Sequence, residues 1–448
     1  MSHAIVQINI KKNLIMNTTW LFADKAIRMV LGLTVSVIMA RYLGPEDLGK
    51  WNYAESFFGI FLILTTLGFD SVLVRELVRN SSRTKELLGT AIVLKLFGTI
   101  TAILLSSLFI YLIRPADTTV QMINLILALS SIFQLFDIID YWFRAQMQSK
   151  YTVISKNIAF IFSSCIKIAV LIFKGSIYIV AICSHIEFLV GSMLLLLFYT
   201  KHQDLSILNW KFNIKIVGQL MADCWPIILS SSAVFVQARI DQIIIGEMLG
   251  DAAVGQYSVA LRLIEVLGFI PVVISTAYAP IITRSKMLGE TQYLMALSSV
   301  YKLMFVLFLI TAIPIYILSN KIVIVLYGSD YAEAGALLSL FAIRLFFTNF
   351  GVAKSLFITN ENLFKYTLIT SLVGAVSNIV LNYLLIPVLG VKGSLIATII
   401  SFTISIFVID LFFKGKIRGN LKLMFKSIFS FWTFKLEDVK AGDKSDTN

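Results

Sequence analysis

Apolar residues lie along this chain in long uninterrupted runs, separated by short polar segments that hold much of its charge. Each run is about 20 residues or longer, which is the length an α-helix needs to cross a bilayer. The runs cover residues 17–40, 51–74, 88–113, 119–143, 153–173, 176–199, 220–248, 252–281, 296–319, 332–353, 366–387 and 392–413. This pattern predicts an all-α integral membrane protein with about 12 transmembrane helices.

The composition agrees with this prediction and excludes other classes. Of the 448 residues, 58% are hydrophobic and 14% are charged, whereas soluble domains have about 45–50% apolar and about 25% charged residues. A water-soluble enzyme and a disordered chain are therefore excluded. Membrane β-barrels are also disfavoured, because their strands alternate in polarity. The cysteines have neither disulfide nor metal spacing, and we interpret them as small packing residues: Cys165, Cys183 and Cys224.

The distribution of positive charge predicts the orientation. The formal net charge is +12, and lysine and arginine concentrate in the cytoplasmic loops of membrane proteins. With the N-terminus in the cytoplasm, the cytoplasmic segments up to residue 434, in the tail, hold 20 lysines and arginines. The opposite loops hold six, namely Arg41, Lys50, Arg114, Lys174, Lys321 and Lys392. Both termini are therefore predicted to be cytoplasmic, and the net charge does not indicate a nucleic-acid partner.

A short internal repeat divides the chain into two halves. Leu43–Trp51 and Leu249–Tyr257 share the pattern L-G-x4-G-x-[WY], each between the first and second helix of its half. Because six helices are an even number, both halves insert in the same direction. We therefore predict two pseudo-symmetric six-helix lobes, residues 1–215 and 216–413, around a central cavity. This is the architecture of an alternating-access transporter.

The segment after the last span is basic and aromatic. Residues 414–434 interleave lysine and arginine with leucine, phenylalanine and tryptophan, as in amphipathic helices that lie on anionic lipid. A thirteenth span is the alternative. Residues 435–448 are polar and predicted to be disordered. The whole tail, 414–448, is thus predicted to be cytoplasmic.

Several basic residues fall inside the predicted spans, where a charge is costly unless it faces a partner or a watery cavity. Arg28, Arg262 and Arg344 lie close to the centres of their helices, Arg239 lies in the outer part of its helix, and Lys25 is intermediate. Arginine binds phosphate well because its planar fork is always charged. These five residues are therefore candidates for a cationic cavity that receives an anionic ligand.

Other lysines are expected to lie differently. Lys95, Lys156 and Lys302 lie nearer the cytoplasmic ends of their spans, where their side chains are expected to extend to the membrane surface.

Acidic residues also occur within the spans. Asp24, Glu187, Asp241 and Glu265 are candidates for carrying a coupling proton or sodium ion. The alternative is that they form internal salt bridges. Asp24 precedes Arg28 by four residues and Arg262 precedes Glu265 by three, which places each pair on one helix face.

Motifs of enzymes are absent from the sequence. There is no P-loop, no G-x-S-x-G and no H-E-x-x-H, and the histidines lack metal-ligand spacing. No cofactor and no resident metal are predicted. The longest polar segments, 200–217 and the tail, are too short for a soluble catalytic domain.

Four segments, which occur in the same order along the chain, resemble those of a known family. Asn17–Arg28, Ala40–Gly49, Leu67–Glu76 and Asn382–Ser394 are similar to segments of the bacterial polysaccharide-unit flippases, the Wzx type. These belong to the multidrug/oligosaccharidyl-lipid/polysaccharide exporter group. The resemblance covers about residues 14–413, and Arg28 matches the basic position of the first helix.

The resemblance implies transport of an undecaprenyl-diphosphate-linked oligosaccharide to the outer leaflet of the bacterial cytoplasmic membrane. It also implies alternating access driven by an ion gradient or the membrane potential. A polysaccharide polymerase and a chain-length regulator are possible partners. Polar and aromatic residues are candidates for sugar contacts: Gln134, Tyr141, Asn349, Asn378 and Asn382.

Three other functions remain open at this point. A drug or cation antiporter of the same fold is expected to have acidic residues in its cavity, whereas the deepest charges here are mostly arginines. A lipid II-type flippase usually has fourteen helices. A membrane scaffold for a biosynthetic complex gains little from charges within its helices.

Overall fold

The computed structural model describes residues 2–203 and 207–433, and their side chains over 28–201 and 207–433. Within these residues the regular structure is helical and contains no strand. The α-helices are α1 (Ser2–Thr66), α2 (Phe69–Arg79), α3 (Thr84–Ile113), α4 (Thr118–Ser130), α5 (Asp137–Ala145), α6 (Ser149–Ile172), α7 (Ile177–Gln203), α8 (Ile214–Leu249), α9 (Asp251–Leu267), α10 (Phe269–Leu288), α11 (Glu290–Tyr327), α12 (Ala332–Asn360), α13 (Phe364–Leu389), α14 (Val391–Thr403) and α15 (Lys416–Phe429).

The predicted all-α membrane fold is confirmed. Eleven stretches of the described chain are long and apolar enough to span a bilayer. The first, Arg28–Arg79, has 52 residues and contains a non-helical residue, Gly44, between the first two predicted spans. Because one crossing needs only about 20 residues, this stretch accounts for two crossings. The structure is therefore consistent with the predicted 12 spans.

The glycines of the internal repeat have the same backbone conformation in both halves. Gly44 has φ 71° and ψ 175°, and Gly250 has φ 88° and ψ 173°. A Cβ atom on either glycine meets nothing within 4 Å. Glycine is therefore required by the backbone dihedral angles, which L-residues rarely adopt, and not by lack of space.

A second repeat lies where the next helix breaks. Leu67-Gly68-Phe69 separates α1 from α2, and Leu267-Gly268-Phe269 separates α9 from α10. The second span of each half is thus interrupted at the same tripeptide.

Helix α3 has mostly small or polar residues on its buried side and large apolar residues on its exposed side. In α3 the buried residues recur every three or four positions and are mostly small or polar, for example Lys95, Thr99, Ala102 and Ser106. The exposed ones include Phe97, Leu104 and Leu108. Small and hydroxyl side chains let membrane helices approach closely, while lipid solvates the apolar side. This pattern is typical of a helix that spans a bilayer.

The chain divides into two compact units, Met1–Phe235 and Val236–Asn448. The division falls inside α8, twenty residues after the lobe boundary expected at 215/216. The first part of α8 belongs to unit 1, because Cys224 and Ile228 join a core with Phe69, Leu73 and Trp142. The core of unit 2 lies around Tyr301, Phe350, Phe407 and Met424.

The basic tail forms a helix that packs on unit 2 through its apolar side. α15 buries Ile417, Leu421 and Met424. The Tyr301 hydroxyl donates a hydrogen bond to Asn420 Oδ1 at 2.9 Å. The outer side of α15 exposes Lys422, Lys426, Phe425 and Phe429. Trp432, just after the end of the helix, is also exposed. The tail beyond 433, including the segment predicted to be disordered, lies outside the described residues.

The carboxylate of Glu361, in a loop that is predicted to be cytoplasmic, holds α15 in place. The buried side chain of Glu361 accepts from Lys416 Nζ at 2.7 Å and lies 2.8 Å from Lys286 Nζ. Burial alone raises the pKa of Glu361, but the hydrogen bonds from Lys286 and Lys416 outweigh it, so its pKa is lowered. The hydrogen bond to Glu361 raises the pKa of Lys416. Glu361 therefore joins the end of α10, the α12–α13 turn and α15.

Candidate functional site

Unit 1 contains a charged cavity of about 190 Å³ between α1, α6, α7 and the 133–137 segment. Four charged side chains line it: Arg28, Asp137, Lys156 and Glu187. Aromatic and uncharged polar groups also line it, including Phe133, Gln134, Phe188 and Ser192. The cavity is thus amphipathic, with two cations and two acids among its lining side chains.

Arg28 comes from the first helix and makes three contacts with α6 and α7. Its Nη1 lies 3.2 Å from Glu187 Oε1 on α7. Its Nη2 donates to the Lys156 carbonyl oxygen on α6 at 2.7 Å. The guanidinium carbon lies 4.9 Å from the centre of the Phe160 ring, a cation–π distance. The guanidinium is therefore fixed in position, yet 29% of the side chain remains exposed.

Lys156 lies between two carboxylates. Its Nζ is 3.0 Å from Asp137 Oδ1 and 2.9 Å from Asp140 Oδ2. Asp140 also accepts from Arg144 at 3.0 Å and is only 1% exposed. Both acids lie in the first turn of α5, where the helix dipole favours negative charge. The break between α4 and α5 thus places two carboxylates on one lysine.

Lys95 lies behind this network. It is 1% exposed and donates to the Gln134 carbonyl oxygen at 2.8 Å. It does not extend to the surface as its depth suggested, because the α4–α5 break leaves a backbone carbonyl that can accept from it. Lys156 is also part of the cavity network. Lys302 is half-buried, and it donates an exposed hydrogen bond to Thr433 Oγ1 at 2.8 Å.

Unit 2 contains a buried carboxylate surrounded by donors. Asp241 is 1% exposed. It accepts hydrogen bonds from Tyr257 Oη at 2.6 Å, Thr398 Oγ1 at 2.6 Å and Asn382 Nδ2 at 2.9 Å. Asn378 adds its side-chain oxygen 3.2 Å from Asn382 Nδ2. Four helices, α8, α9, α13 and α14, therefore converge on one acid through neutral polar side chains.

Arg344 on α12 is the cation that acts on Asp241. It interacts electrostatically with that carboxylate, and its side chain lies against the rings of Phe341 and Phe402 at 5.7 and 5.4 Å. Among the described residues, its Nη1 is buried without a hydrogen-bond partner. A buried donor left without a partner is costly. Arg344 therefore has hydrogen-bonding capacity that is not used in this conformation.

The other two candidate arginines share one acid. Arg239 Nη2 lies 2.9 Å from Glu265 Oε1, and Arg262 Nη1 lies 3.9 Å from Glu265 Oε2. The intrahelical pair expected from spacing is thus the looser one, and α8 supplies the closer partner. Arg262 is 45% exposed.

The structure brings the sequence candidates together in separate groups. Arg28 and Glu187 meet in unit 1, while Asp241 with Arg344, and Glu265 with Arg239 and Arg262, lie in unit 2. The side chains of Asp24 and Lys25 lie outside the described residues. Lys156 and Asp137 were not among the site candidates. Their positions near the predicted ends of spans concealed them, although the two acids Asp137 and Asp140, three residues apart within a predicted span, were a signal.

The sugar candidates are also placed. Gln134 lines the cavity in unit 1, and Asn378 and Asn382 lie at the Asp241 cluster. Asn349 donates to the Met304 carbonyl oxygen at 3.1 Å and is buried. Within residues 28–201 and 207–433, no group of three or more His, Cys, Asp or Glu side chains could hold a metal ion.

The structure is that of a multi-pass membrane protein with charged side chains inside its helices. The family model described as "Polysaccharide biosynthesis protein" matches residues 14–286, which is more than half of the chain. The chain belongs to this family. A second model, MatE, matches residues 226–384. A comparison with curated protein sequences finds no match.

Solved structures share the fold at low sequence identity. An inward-facing multidrug resistance MATE family transporter of the MOP superfamily aligns with a TM-score of 0.70 and 16% identity, over 89% of this chain and 96% of that chain. The lipid II flippase MurJ, inward closed, aligns with a TM-score of 0.67 and 16% identity, over 93% and 92%. A MOP superfamily transporter from Pyrococcus furiosus, noted for reversed binding-pocket polarity, gives 0.61 and 16%, over 92% and 96%. The chain therefore shares the fold of these membrane transporters.

Proposed function

We propose that the protein flips an undecaprenyl-diphosphate-linked oligosaccharide from the cytoplasmic to the outer leaflet of the bacterial cytoplasmic membrane. The observation that carries the proposal is the unit 1 cavity, where Arg28 and Lys156 meet in a membrane-spanning region. Membership in a polysaccharide biosynthesis family supports the glycan part. A polymerase and a chain-length regulator are the partners that such a product requires.

The chemistry of the cavity suits a diphosphate that carries sugars. Arg28 and Lys156 expose 29% and 32% of their side chains. Arginine offers a planar fork to phosphate and lysine offers a compact charge. At an effective dielectric constant near 20, one such charge at 4 Å contributes roughly 4 kcal/mol of Coulomb energy before desolvation is subtracted. Gln134 and Ser192 can hydrogen-bond hydroxyl groups, and Phe133 and Phe188 offer apolar faces to sugar rings.

Transport by alternating access also needs a driving force, and we propose that Asp241 binds the coupling ion. Hard cations prefer oxygen ligands, and Asp241 lies 2.6 Å from the side-chain oxygens of both Thr398 and Tyr257. The Asn382 Oδ1 atom is buried and has no hydrogen-bond partner among the described residues. Either Na⁺ or a proton can neutralise this carboxylate. Arg344 supplies the compensating charge when no ion is bound. Glu187 and Glu265 contact arginines directly and are weaker candidates.

The proposal is tested with purified protein in liposomes that carry a labelled undecaprenyl-diphosphate oligosaccharide. We expect protein-dependent movement of the label between leaflets, and a loss of at least tenfold in rate for Arg28→Ala and for Lys156→Ala. Arg75→Ala is the matched control, because Arg75 pairs with Asp223 in the same unit but does not line the cavity. Equal rates for all three variants and the wild type would refute the proposal.

A drug or cation antiporter is the second candidate. Two observations favour it: the cavity contains two carboxylates, Asp137 and Glu187, and the MatE model matches part of the chain. It predicts that organic cations are transported and that Glu187→Gln abolishes this transport, with no effect of prenyl-diphosphate lipids. A lipid II-type flippase predicts that lipid II competes fully with the glycan substrate in the liposome assay.

A further inference from the structure

The two cations of the unit 1 cavity have the same arrangement of partners. Each contacts at least one group that is built into the wall and one carboxylate that faces the cavity. For Arg28 the wall partners are the Lys156 carbonyl oxygen and the Phe160 ring, and the cavity carboxylate is Glu187. For Lys156 the wall partner is Asp140, and the cavity carboxylate is Asp137.

Exposure separates the two kinds of acid. The Asp140 side chain is 1% exposed and is held by Arg144 as well as Lys156. The side chains of Asp137 and Glu187 are 28% and 19% exposed, and both line the cavity. A carboxylate that faces the cavity can rotate away from its cation without becoming buried and unpaired. Asp140 cannot do so, because it has no exposed position to move to.

We propose that Glu187 and Asp137 are surrogate anions, which occupy the phosphate positions on Arg28 and Lys156 when the cavity holds no substrate. A diphosphate displaces both carboxylates, and they return when it leaves. The inference rests on the proposed function, because it assigns a role within the same cavity. It goes further by naming the residues that set substrate affinity and release.

The physical reason for surrogate anions is the conformational change that the transporter must make without substrate. After release, the protein must change conformation without substrate, and two uncompensated cations inside the membrane are costly. Two built-in carboxylates cancel that charge. They also compete with the diphosphate, so they lower its affinity and promote its release on the far side. The wall partners keep both cations in position while the anions exchange.

This exchange predicts that removing a carboxylate from the cavity increases the affinity for a diphosphate. Replacing either surrogate by its neutral amide removes a competitor without removing a cation. Glu187→Gln and Asp137→Asn are therefore expected to bind a diphosphate more tightly, on the order of tenfold, at the lower end of coupling measured for close charge pairs. The same variants are expected to turn over more slowly, because release and the empty return are impaired.

The binding test uses undecaprenyl diphosphate without sugars, titrated into the purified full-length protein in nanodiscs. Asp223→Asn is the matched control, because Asp223 pairs with Arg75 and does not line the cavity. We expect tighter binding for Glu187→Gln and Asp137→Asn, unchanged binding for Asp223→Asn and weaker binding for Arg28→Ala. The two amide variants act independently, so one that fails to fold leaves the other as the test.

The outcomes separate this inference from the proposed function. Binding that depends on Arg28 but is unchanged or weakened by both amide substitutions overturns the surrogate-anion role alone. Absence of binding by the wild type overturns both proposals. A kinetic measurement adds a second criterion: in liposomes, Glu187→Gln should slow net movement of substrate several-fold more than exchange of labelled for unlabelled substrate. Equal slowing of net movement and exchange contradicts the role in the empty return.

Discussion

Lys354 and Asp410 form the most deeply buried ion pair of unit 2 within the described residues. The Lys354 Nζ lies 2.8 Å from the Asp410 carboxylate, and the two side chains are 4% and 0% exposed. The same Nζ donates to the Ile406 carbonyl oxygen at 2.6 Å, which lies in the π-helical segment Ile404–Val408. The Tyr366 hydroxyl also donates to Asp410. The lysine therefore compensates a buried charge and a carbonyl oxygen of an irregular helix.

Lys354→Met is expected to destabilise the protein strongly, because it leaves the Asp410 carboxylate buried without a counter-charge. Removing one partner of a buried pair costs about 3–5 kcal/mol. The double variant Lys354→Met/Asp410→Asn removes the charge but keeps an acceptor for Tyr366. It is expected to regain most of this loss, and the residual cost of about 1–3 kcal/mol reflects the Ile406 carbonyl oxygen without its donor.

Thermal unfolding of the purified variants in one detergent measures the difference. For a unit of this size, about 2–4 °C per kcal/mol predicts a fall in Tm on the order of 10 °C for the single variant. Lys302→Met is the control, because Lys302 makes an exposed hydrogen bond to Thr433 and should shift Tm by no more than about 1 °C. The reasoning is refuted if the double variant is as unstable as the single one.

Three further predictions concern ion coupling, the tail and the repeat. Asp241→Asn should abolish the response of flipping to Na⁺ or proton gradients, measured in liposomes. Because the pKa of Glu361 is lowered by folding, its stabilisation is present above its unfolded pKa of about 4.3 and is lost as the pH falls through the lower folded value. The Tm difference between wild type and Glu361→Gln should therefore shrink between pH 7 and pH 3. Gly44→Ala and Gly250→Ala should each destabilise by about 1–3 kcal/mol, because alanine rarely adopts their positive φ, whereas Gly218→Ala, in a helix with open space around it, should not.

Each of these expectations has a contradicting result. A gradient response that survives in Asp241→Asn excludes that residue as the ion site. A constant Tm difference across pH shows that Glu361 does not stabilise through its charge. Equal behaviour of Gly44→Ala and Gly218→Ala in thermal unfolding shows that backbone conformation is not what requires glycine at the repeat.

The fold could be predicted from the sequence because its main determinant is local. A run of about 20 apolar residues specifies a spanning helix whatever its neighbours are. The glycine of L-G-x4-G also carries its own reason, since both copies adopt a conformation that glycine favours. The place where the units divide was less accessible, because it depends on which part of α8 packs with which core.

The partners of the charged residues could not be predicted. Depth along a helix follows from residue position, but the direction a side chain faces depends on how the helices pack. Arg28 Nη1 lies against Glu187, 159 positions away in the sequence, a partner that spacing along one helix could not indicate. The side chain of Lys95 was expected to extend to the membrane surface. It instead donates to the Gln134 carbonyl oxygen, which the break between α4 and α5 leaves available.

The central claim is that the unit 1 cavity carries a diphosphate across the membrane. The most direct measurement is the rate at which labelled undecaprenyl-diphosphate oligosaccharide changes leaflet in liposomes with wild-type protein, Arg28→Ala protein or none. We expect the wild-type protein to accelerate the movement of the label between leaflets. For Arg28→Ala we expect a rate near that of protein-free liposomes. Acceleration that is the same for both proteins would contradict it.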